Sequence, residues 1–304
     1  MTVGVVVMSY GTPSRPEQIP EYYTDILHGR PPTIEQLAEL ERRYAAIGGL
    51  SPLNSVSRAQ MAGITAALER LAPSGFRTAY GTKHAWPRIA EAAGELVASG
   101  VDALVGLVLT PHFSTLSVEQ YFEQLAEAAA AAGLPLGRVE RWGADPVLVE
   151  LLAERVRSSL EELGTPARWA EVLFTAHSLP TRILAAGDPY PAELAETAAL
   201  VAAEADLTRF RTAWQSASVT PEPWLGPDIG EVLEELAGVG TEGVVVCPAG
   251  FVSDHLEILY DLDVVARRRA EGLKIAFART ASLNDEPRLM EALAGLVIAA
   301  VPPR

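Results

Sequence analysis

Two segments of the chain carry side chains that could exchange protons or bind a metal ion. His177 follows the short apolar run 172–175, and Glu257 lies in the acid-rich segment 254–263. Imidazole titrates near neutral pH, so a neutral histidine can accept a proton or bind a divalent metal. A carboxylate that faces the imidazole favours its protonated form. If the two side chains face one another across a pocket, we expect them to hold a metal ion or remove protons from a ligand.

The acid-rich segment has a helical spacing. Asp254, Glu257 and Asp261 are separated by three and four residues, which places three carboxylates on one stripe of an α-helix. Such a stripe could face a cleft. It is also typical of a solvated helix face, where the helix dipole favours acids near the N-terminus. The spacing alone leaves both interpretations open.

Three further ring side chains lie in predicted loops of the first half of the chain. Tyr10 follows the first apolar run, where a phenol could approach a metal bound at the centre of a planar ligand. Tyrosine is also common at the edge of a core, so Tyr10 alone is a weak signal. His84 and His112 follow other elements of this half. We expect a structural role for His112.

The chain is acidic, with a formal net charge of −15. This charge argues against nonspecific binding to nucleic acid or to an anionic membrane. Arg30, Arg42 and Arg43 nevertheless fall within the first sixty residues, close to several Ser and Tyr positions. By default they are solvated surface arginines. The alternative is a local cluster of cations that binds an anionic ligand.

The order of segments repeats within the chain. Phe76–Tyr80 recurs as Phe210–Trp214, and each copy is followed by a helical stretch and another apolar run. Short apolar runs separated by amphipathic helices predict buried parallel strands joined by right-handed crossovers. The candidate residues follow these runs, which is where open parallel sheets place a ligand crevice. The sequence therefore predicts an α/β protein of two similar halves with a cleft between them.

We predict the boundary between the halves near residues 142–146. Residues 1–143 then form the first half, and residues 144–284 form the second half, which carries the candidate His and Glu. A last helix, about 285–300, has a strongly apolar face, with Asn284 or Asp285 as its N-cap. We expect residues 285–304 to pack back on the first half.

Other features argue against several classes of protein. No apolar run is long enough to span a bilayer, and the N-terminus lacks the basic start of a signal peptide. With the single cysteine Cys247, neither an internal disulfide nor a Cys-only iron–sulfur cluster can form within the chain. Residues 238–243 fit GxGxxG but precede an apolar run, so they do not predict a dinucleotide site. We expect a cytoplasmic protein.

Taken together, the motifs resemble those of the ferrochelatase family over nearly the whole chain. Phe174–Pro180 is similar to the family motif that carries an essential histidine. Cys247–Asp263 is similar to its longest signature, which carries an essential glutamate. Further segments that match the family pattern are 47–53, 112–121, 214–216 and 223–227.

The resemblance implies a chelatase fold of two Rossmann-like three-layer αβα domains with a porphyrin in the cleft. It implies that His177 and Glu257 take part in metal insertion and proton removal. Tyr10 resembles the tyrosine that, in the monoderm-type coproporphyrin III ferrochelatases, faces the iron from the other side of the macrocycle. In that group the four propionates of the porphyrin would be held by charge-assisted contacts. The corresponding residues here are Thr12, Arg30, Arg43, Tyr44, Ser51 and Tyr121.

Two departures from the family pattern limit this comparison. Val264 and Val265 stand where the acidic helix of the family often has another carboxylate, which puts an outer metal site on this helix in doubt. The chain also lacks the cysteines that hold a [2Fe–2S] cluster in some actinobacterial relatives. We therefore expect Fe²⁺ as a substrate, no permanent cofactor and no cluster.

The expected ligand is a porphyrin, and we expect a monomer that passes its product to a transient haem acceptor enzyme. Three alternatives stay open. The substrate could be protoporphyrin IX, or the protein could be another tetrapyrrole chelatase that inserts cobalt or nickel. It could also be a haem or porphyrin carrier that uses Tyr10 as an axial ligand.

Overall fold

The computed structural model describes residues 1–218 and 220–303. The strands within these residues are β1 (Val3–Ser9), β2 (Phe76–Thr82), β3 (Ala103–Val108), β4 (Leu136–Val139), β5 (Glu171–His177), β6 (Phe210–Gln215), β7 (Gly243–Cys247) and β8 (Ala276–Arg279). The α-helices are α1 (Ile19–Ile26), α2 (Ile34–Ala46), α3 (Leu53–Leu71), α4 (Ile89–Ala98), α5 (Val118–Ala132), α6 (Pro146–Leu163), α7 (Arg182–Ala185), α8 (Tyr190–Glu204), α9 (Ile229–Gly238), α10 (Arg267–Gly272) and α11 (Pro287–Ala299). A π-helix, Ile258–Ala266, leads directly into α10. None of these helices is both long enough and apolar enough to cross a lipid bilayer.

The strands form two parallel four-stranded sheets with equivalent strand orders. The first sheet has the order β2-β1-β3-β4, and the second has the order β6-β5-β7-β8. Val3 at the start of β1 pairs with Phe76, and Val172 near the start of β5 pairs with Phe210. The two copies of the repeated motif therefore occupy the same edge of their sheets in the same register. The prediction of two similar parallel α/β halves is confirmed.

Each sheet has helices on both faces because its inner strands are apolar on both faces. Successive side chains of a strand point to opposite faces. Val5 packs towards α3 in one core cluster, whereas Val6 packs towards α4 and α5 in another. Phe174 and Leu173 of β5 divide in the same way, with Leu173 packing towards α9 and the π-helix. This pattern is typical of parallel sheets that are covered by helices on both sides.

The largest core cluster includes residues from both halves. It contains the strand residues Val5 and Phe174 together with Leu148 of α6 and Leu293 of α11. Helix α11 packs mainly on α3 and also contacts α6. The last helix therefore lies against elements of both halves, and the assignment of residues 1–143 with 285–304 to one domain stays a proposal.

The predicted N-cap of the last helix is wrong. The N-cap position is Glu286, and Pro287 occupies the first helical turn, where its fixed φ suits the helix and its missing N–H is not needed. Asn284 instead has a left-handed backbone with φ of 49°. Its side chain donates a hydrogen bond to Asp254 at 3.0 Å. Asn284 is thus used in a tertiary contact that sequence patterning does not reveal.

Candidate active site

The central strands of both sheets end at candidate residues. Tyr10 directly follows β1, and His177 is the last residue of β5. Gly11, after Tyr10, has a φ of 83°, and a Cβ there would lie 2.8 Å from side-chain atoms of Thr82 and Ala85. Glycine is therefore needed at this position so that the chain can turn directly after Tyr10.

His177 and Glu257 lie side by side. Nε2 of His177 is 3.5 Å from Oε1 of Glu257, and Nδ1 of His177 faces the carbonyl oxygen of Ser178. Glu257 also contacts a second histidine, since its Oε2 is 3.5 Å from Nε2 of His255. Within residues 1–218 and 220–303, no three His, Cys, Asp or Glu side chains are arranged to hold a metal ion by themselves. The side chains of His177 and Glu257 remain 29% and 34% exposed, so a ligand can reach the pair.

The electrostatics of the pair favour a charged His177. Desolvation by the surrounding protein lowers the pKa of His177, but the Glu257 carboxylate outweighs this and raises that pKa to about 9. Desolvation would likewise raise the pKa of Glu257. Attraction by His177, with hydrogen bonds from His177 and His255, instead holds the Glu257 pKa well below its usual range. At pH 7 the ligand-free site therefore holds an imidazolium–carboxylate pair.

A second carboxylate lies on the π-helix near this pair. Asp261 accepts a hydrogen bond from the hydroxyl of Ser216, and its Oδ1 is 3.8 Å from Nη1 of Arg43. Burial, partly opposed by the Ser216 hydrogen bond, raises the pKa of Asp261 to about 6. The Arg43 guanidinium also lies over the ring of Tyr260, 5.3 Å from its centroid. Arg43 thus links helix α2 of the first half to the π-helix of the second half.

The three carboxylates of the acid-rich segment do not share one stripe, so that prediction is wrong for Asp254. Asp254 precedes the helix and is bound to the side chains of Ser282 and Asn284. Glu257 and Asp261 both act on the charge of His177. The α-helical spacing fails at Asp254 because the helix begins only at residue 256, so Asp254 lies in the loop before it.

Tyr10 of the first half lies beside the side chains of His84 and Lys83. Its ring is 4.5 Å from that of His84, and the ammonium of Lys83 is 6.0 Å from its centroid. Tyr10 is 39% exposed, but desolvation by the surrounding protein raises the pKa of its phenol, and the charge of Glu257 adds to this shift. The phenol is therefore neutral at pH 7 and lies within electrostatic reach of the Glu257 carboxylate.

The residues that the family resemblance implies as propionate contacts differ in their burial and in their neighbours. The hydroxyls of Thr12 and Tyr44 are 3.1 Å apart and buried. Tyr121 is buried and lies under the Lys83 ammonium, 5.4 Å from the ring centroid. Ser51 is buried in the loop, two residues before α3 begins. Arg30 is exposed, with Nε 3.4 Å from the carbonyl oxygen of Leu27, and the structure places no contact between it and the others among the described residues.

Sequence reasoning missed two polar groups of the cleft, His255 and Lys83, and named His84 without assigning it to the site. His255 holds Glu257, and its position two residues before the glutamate in the same motif was a usable signal. Lys83 and His84 directly follow β2, so the strand-end rule that selected Tyr10 also applies to them. Burial lowers the pKa of Lys83 to about 8 and that of His84 to about 4. His84 is held by Asp25, 2.7 Å away on α1, which no sequence pattern links to it.

A family model described as ferrochelatase matches residues 2–301 of this chain. The chain belongs to the ferrochelatase family. Ferrochelatases named coproporphyrin III ferrochelatase are among its similar relatives. That of Anoxybacillus flavithermus is 41% identical over 300 residues, covering 97% of this chain and 95% of the relative. That of Geobacillus thermodenitrificans is 40% identical over 301 residues, covering 98% and 95%.

A protein of Herpetosiphon aurantiacus, named ferrochelatase without a stated porphyrin, is 37% identical over 296 residues, covering 96% of this chain and 97% of the relative. Solved structures support the chelatase fold. SirB from Bacillus subtilis with Fe³⁺ has a TM-score of 0.62 at 13% identity, covering 99% of this chain and 96% of that one. CbiX, described as the terminal enzyme for biosynthesis of sirohaem in denitrifying bacteria, has a TM-score of 0.54 at 15% identity, covering 99% and 100%. At these identities the likeness concerns the fold alone.

Proposed function

We propose that this protein is a metal chelatase that inserts Fe²⁺ into coproporphyrin III to give coprohaem in haem biosynthesis. The observation that carries the proposal is the facing pair His177 and Glu257, in a chain that belongs to the ferrochelatase family. The names of the relatives from Anoxybacillus and Geobacillus support coproporphyrin III as the substrate.

Metal insertion exchanges two pyrrole protons for one Fe²⁺ ion, so the site must accept two protons. His177 and Glu257 are the proposed acceptors and the proposed contacts for incoming Fe²⁺. The proton that Glu257 holds on His177 has to leave before the imidazole can accept another or bind the metal. Tyr10, a neutral phenol on the other wall, would face the iron from the opposite side of the macrocycle.

The proposed cleft binds the porphyrin bent. A deformed ring exposes its pyrrole lone pairs and resembles the transition state more than a flat ring does. The proposed propionate contacts are Thr12, Arg30, Arg43, Tyr44, Ser51 and Tyr121. Arg43 supports this role because it already lies beside the cleft carboxylate Asp261.

The experiment is anaerobic incubation of the purified protein with Fe²⁺ and either coproporphyrin III or protoporphyrin IX, followed by visible absorption. We expect faster metallation of coproporphyrin III, and loss of metallation in the His177→Ala variant. Rapid metallation of protoporphyrin IX, with none of coproporphyrin III, would overturn the proposal that coproporphyrin III is the substrate. Tight haem binding without metallation would indicate a carrier, and insertion of Co²⁺ or Ni²⁺ but not Fe²⁺ would indicate another tetrapyrrole chelatase.

Variants of two neighbouring arginines of α2 test whether propionate binding needs one specific arginine or only positive charge on the surface. Arg43→Met should raise the KM for coproporphyrin III about tenfold, since a lost charge-assisted hydrogen bond costs about 1.5 kcal/mol or more. Arg42→Met is the matched control, because both arginines pair with Glu39 but Arg42 is exposed and Arg43 also faces Asp261. Equal KM values for the two variants would contradict a propionate role for Arg43.

We further propose a cytoplasmic monomer without a permanent cofactor that hands its product to a haem acceptor enzyme. Light scattering after size exclusion measures the oligomeric state directly. A dimer at micromolar concentration would contradict the proposed monomer. Elemental analysis of the purified protein tests the cofactor, since stoichiometric iron and sulfide would reveal a cluster.

A further inference from the structure

The helix that carries the second cleft carboxylate has an uncommon geometry. Residues Ile258–Ala266 form a π-helix, and Glu257 stands at its N-terminus. π-Helical turns are rare and frequently occur at functional sites. Contacts from outside the helix are needed to hold such a turn, because a tighter α-helix has better hydrogen-bond geometry. The question is which side chains hold this one.

Arg279, the last residue of β8, binds the far part of the π-helix. Its Nε is 2.7 Å from Oδ1 of Asp263, and its Nη2 is 2.8 Å from Oδ2 of the same carboxylate. This is a parallel two-bond pair, the strongest geometry available between arginine and a carboxylate. The Arg279 side chain is only 12% exposed, so solvent screens the pair weakly.

The same arginine lies beside the residue that precedes the helix. Nη2 of Arg279 is 3.6 Å from Oδ1 of Asp254. Asp254 is fixed in turn by hydrogen bonds from Ser282 at 2.7 Å and from Asn284 at 3.0 Å. Nη1 of Arg279 donates hydrogen bonds to the carbonyl oxygen of Thr280 at 2.9 Å and to the hydroxyl of Ser282 at 3.4 Å.

These contacts lie on both sides of Glu257 along the chain. Asp254 comes three residues before Glu257, and Asp263 comes six residues after it. Arg279 therefore fixes two points between which both cleft carboxylates, Glu257 and Asp261, are placed. The structure gives Arg279 no contact with either cleft carboxylate among the described residues, so its effect on them is indirect.

We propose that Arg279 is a positioning residue that clamps Asp254 and Asp263 and so holds Glu257 at the distance from His177 that Fe²⁺ needs. This inference rests on the proposed function, because it assigns the clamp to the iron-binding side of that site. Loss of the clamp lets the π-helix relax, and Glu257 and Asp261 move with it. A displacement of about 1 Å at a reacting group can cost roughly a hundredfold in catalysis, so a smaller shift of Glu257 is enough to weaken its contact with Fe²⁺.

The proposal predicts a specific kinetic pattern. Arg279→Met should raise the KM for Fe²⁺ about tenfold. The KM for the porphyrin should stay within about twofold, because the propionate contacts lie on other elements and Arg43, which also faces Asp261, keeps its own hydrogen bond to Glu39 on α2. A merely structural role would lower the fraction of folded enzyme and thus the maximal rate, with both KM values unchanged. Rates are therefore normalised to the folded fraction measured by circular dichroism.

Three further variants keep the experiment decisive. Asp263→Asn preserves shape and should reproduce the rise in KM for Fe²⁺ even if Arg279→Met does not fold. The Arg279→Met/Asp263→Asn double variant should add little to either single change, since both remove the same contact. Arg279→Lys keeps the charge but cannot make both parallel bonds, so its KM should fall between wild type and Arg279→Met.

Arg267→Met is the matched control. Arg267 also lies near Asp263, at 4.0 Å, but it is 42% exposed and stacks on Phe277. Its KM for Fe²⁺ should stay within about twofold of wild type. An unchanged KM for Fe²⁺ in both Arg279→Met and Asp263→Asn would overturn the clamp. Failure of the wild-type protein to insert Fe²⁺ would instead overturn the proposed function.

Discussion

The imidazole of His177 carries a proton at pH 7 in the ligand-free protein, because Glu257 raises its pKa to about 9. The two side chains that would receive Fe²⁺ are therefore matched in charge before any substrate arrives. In the proposed reaction an incoming cation would have to replace that proton, which would couple metal binding to proton release at this pair. The cost of desolvating the carboxylate is offset by two histidines, His177 and His255, on its two oxygens.

Replacing the carboxylate tests this coupling. Glu257→Gln should lower the pKa of His177 from about 9, because desolvation then acts against only the Ser178 carbonyl and the Asp261 charge. The fraction of charged imidazole at pH 7 falls accordingly. The measurement is an NMR titration of the His177 ring carbon–proton signal in the ligand-free protein.

Glu222→Gln is the control for this titration. Glu222 pairs with Arg182 on the surface, so its removal should leave the His177 signal unchanged. A His177 pKa that stays near 9 in Glu257→Gln would show that another group holds the proton. The titration does not depend on turnover, so it is independent of the identity of the porphyrin.

At the level of elements, strands and helices were accessible to sequence reasoning, but the π-helix was not. The strands are short runs of β-branched residues buried on both faces, a pattern with few other solutions. The carboxylates within residues 258–266 contact Arg279, Ser216 and Arg43, which come from three distant segments. A helical pattern in one segment carries no signal from such partners.

The candidate site divides in the same way. His177 and Glu257 were identified from their motifs, and the structure places them 3.5 Å apart. Their roles stay predictions, as do those of the proposed propionate contacts. Arg30 was grouped with Arg43 by nearness in sequence, yet the structure places Arg43 beside Asp261 and leaves Arg30 exposed. Nearness along the chain does not report which side chains converge when a loop and a helix separate them.

Helix α11 gives a prediction about packing. Leu293 is 1% exposed and lies in the core cluster shared by both halves. Leu293→Ala should destabilise the protein by about 2–5 kcal/mol, through lost burial and the cavity left behind. Urea unfolding followed by circular dichroism measures this change.

The control lies on the same helix. Glu291 is exposed and pairs with Arg70 at 2.7 Å, so Glu291→Ala should cost less than about 1 kcal/mol. Equal losses for the two variants would mean that α11 contributes through its surface pairs and not through its apolar face. Since α11 packs mainly on α3 and α6, which carry neither His177 nor Glu257, folded Leu293→Ala should keep the KM for Fe²⁺ of wild type.

Across the whole molecule, a loop of the first half is bound to the start of α8 in the second half. Ser114 and Thr115 donate hydrogen bonds to Asp188, and the backbone N–H of Phe113 donates to Glu193 at 2.7 Å. Tyr190, two residues after Asp188, donates a hydrogen bond to the carbonyl oxygen of His177 at 3.0 Å. The loop therefore connects the first sheet to the backbone of the proposed active site.

His112 is the buried centre of this connection. Its Nε2 is 2.8 Å from the Thr197 hydroxyl on α8, and its Nδ1 is buried without a hydrogen-bond partner among residues 1–218 and 220–303. A Cβ on Gly143 would lie 2.5 Å from the imidazole, so glycine is required beside it. Burial lowers the pKa of His112 to about 3, which keeps the ring neutral throughout the physiological range.

This lowered pKa makes the junction between the halves sensitive to acid. The unfolded chain binds a proton at His112 below a pH of about 6.5, whereas the folded chain does so only near pH 3, so stability falls as pH falls between these values. Between pH 7 and pH 5 this residue should remove about 2 kcal/mol from the free energy of unfolding.

His112→Gln can still donate to Thr197 but does not titrate, so its loss of free energy over that interval should be smaller by this amount. Urea unfolding at both pH values measures the difference, with His28→Asn as the exposed control. If wild type and His112→Gln lose the same free energy of unfolding between pH 7 and pH 5, groups other than His112 cause the loss of stability in acid.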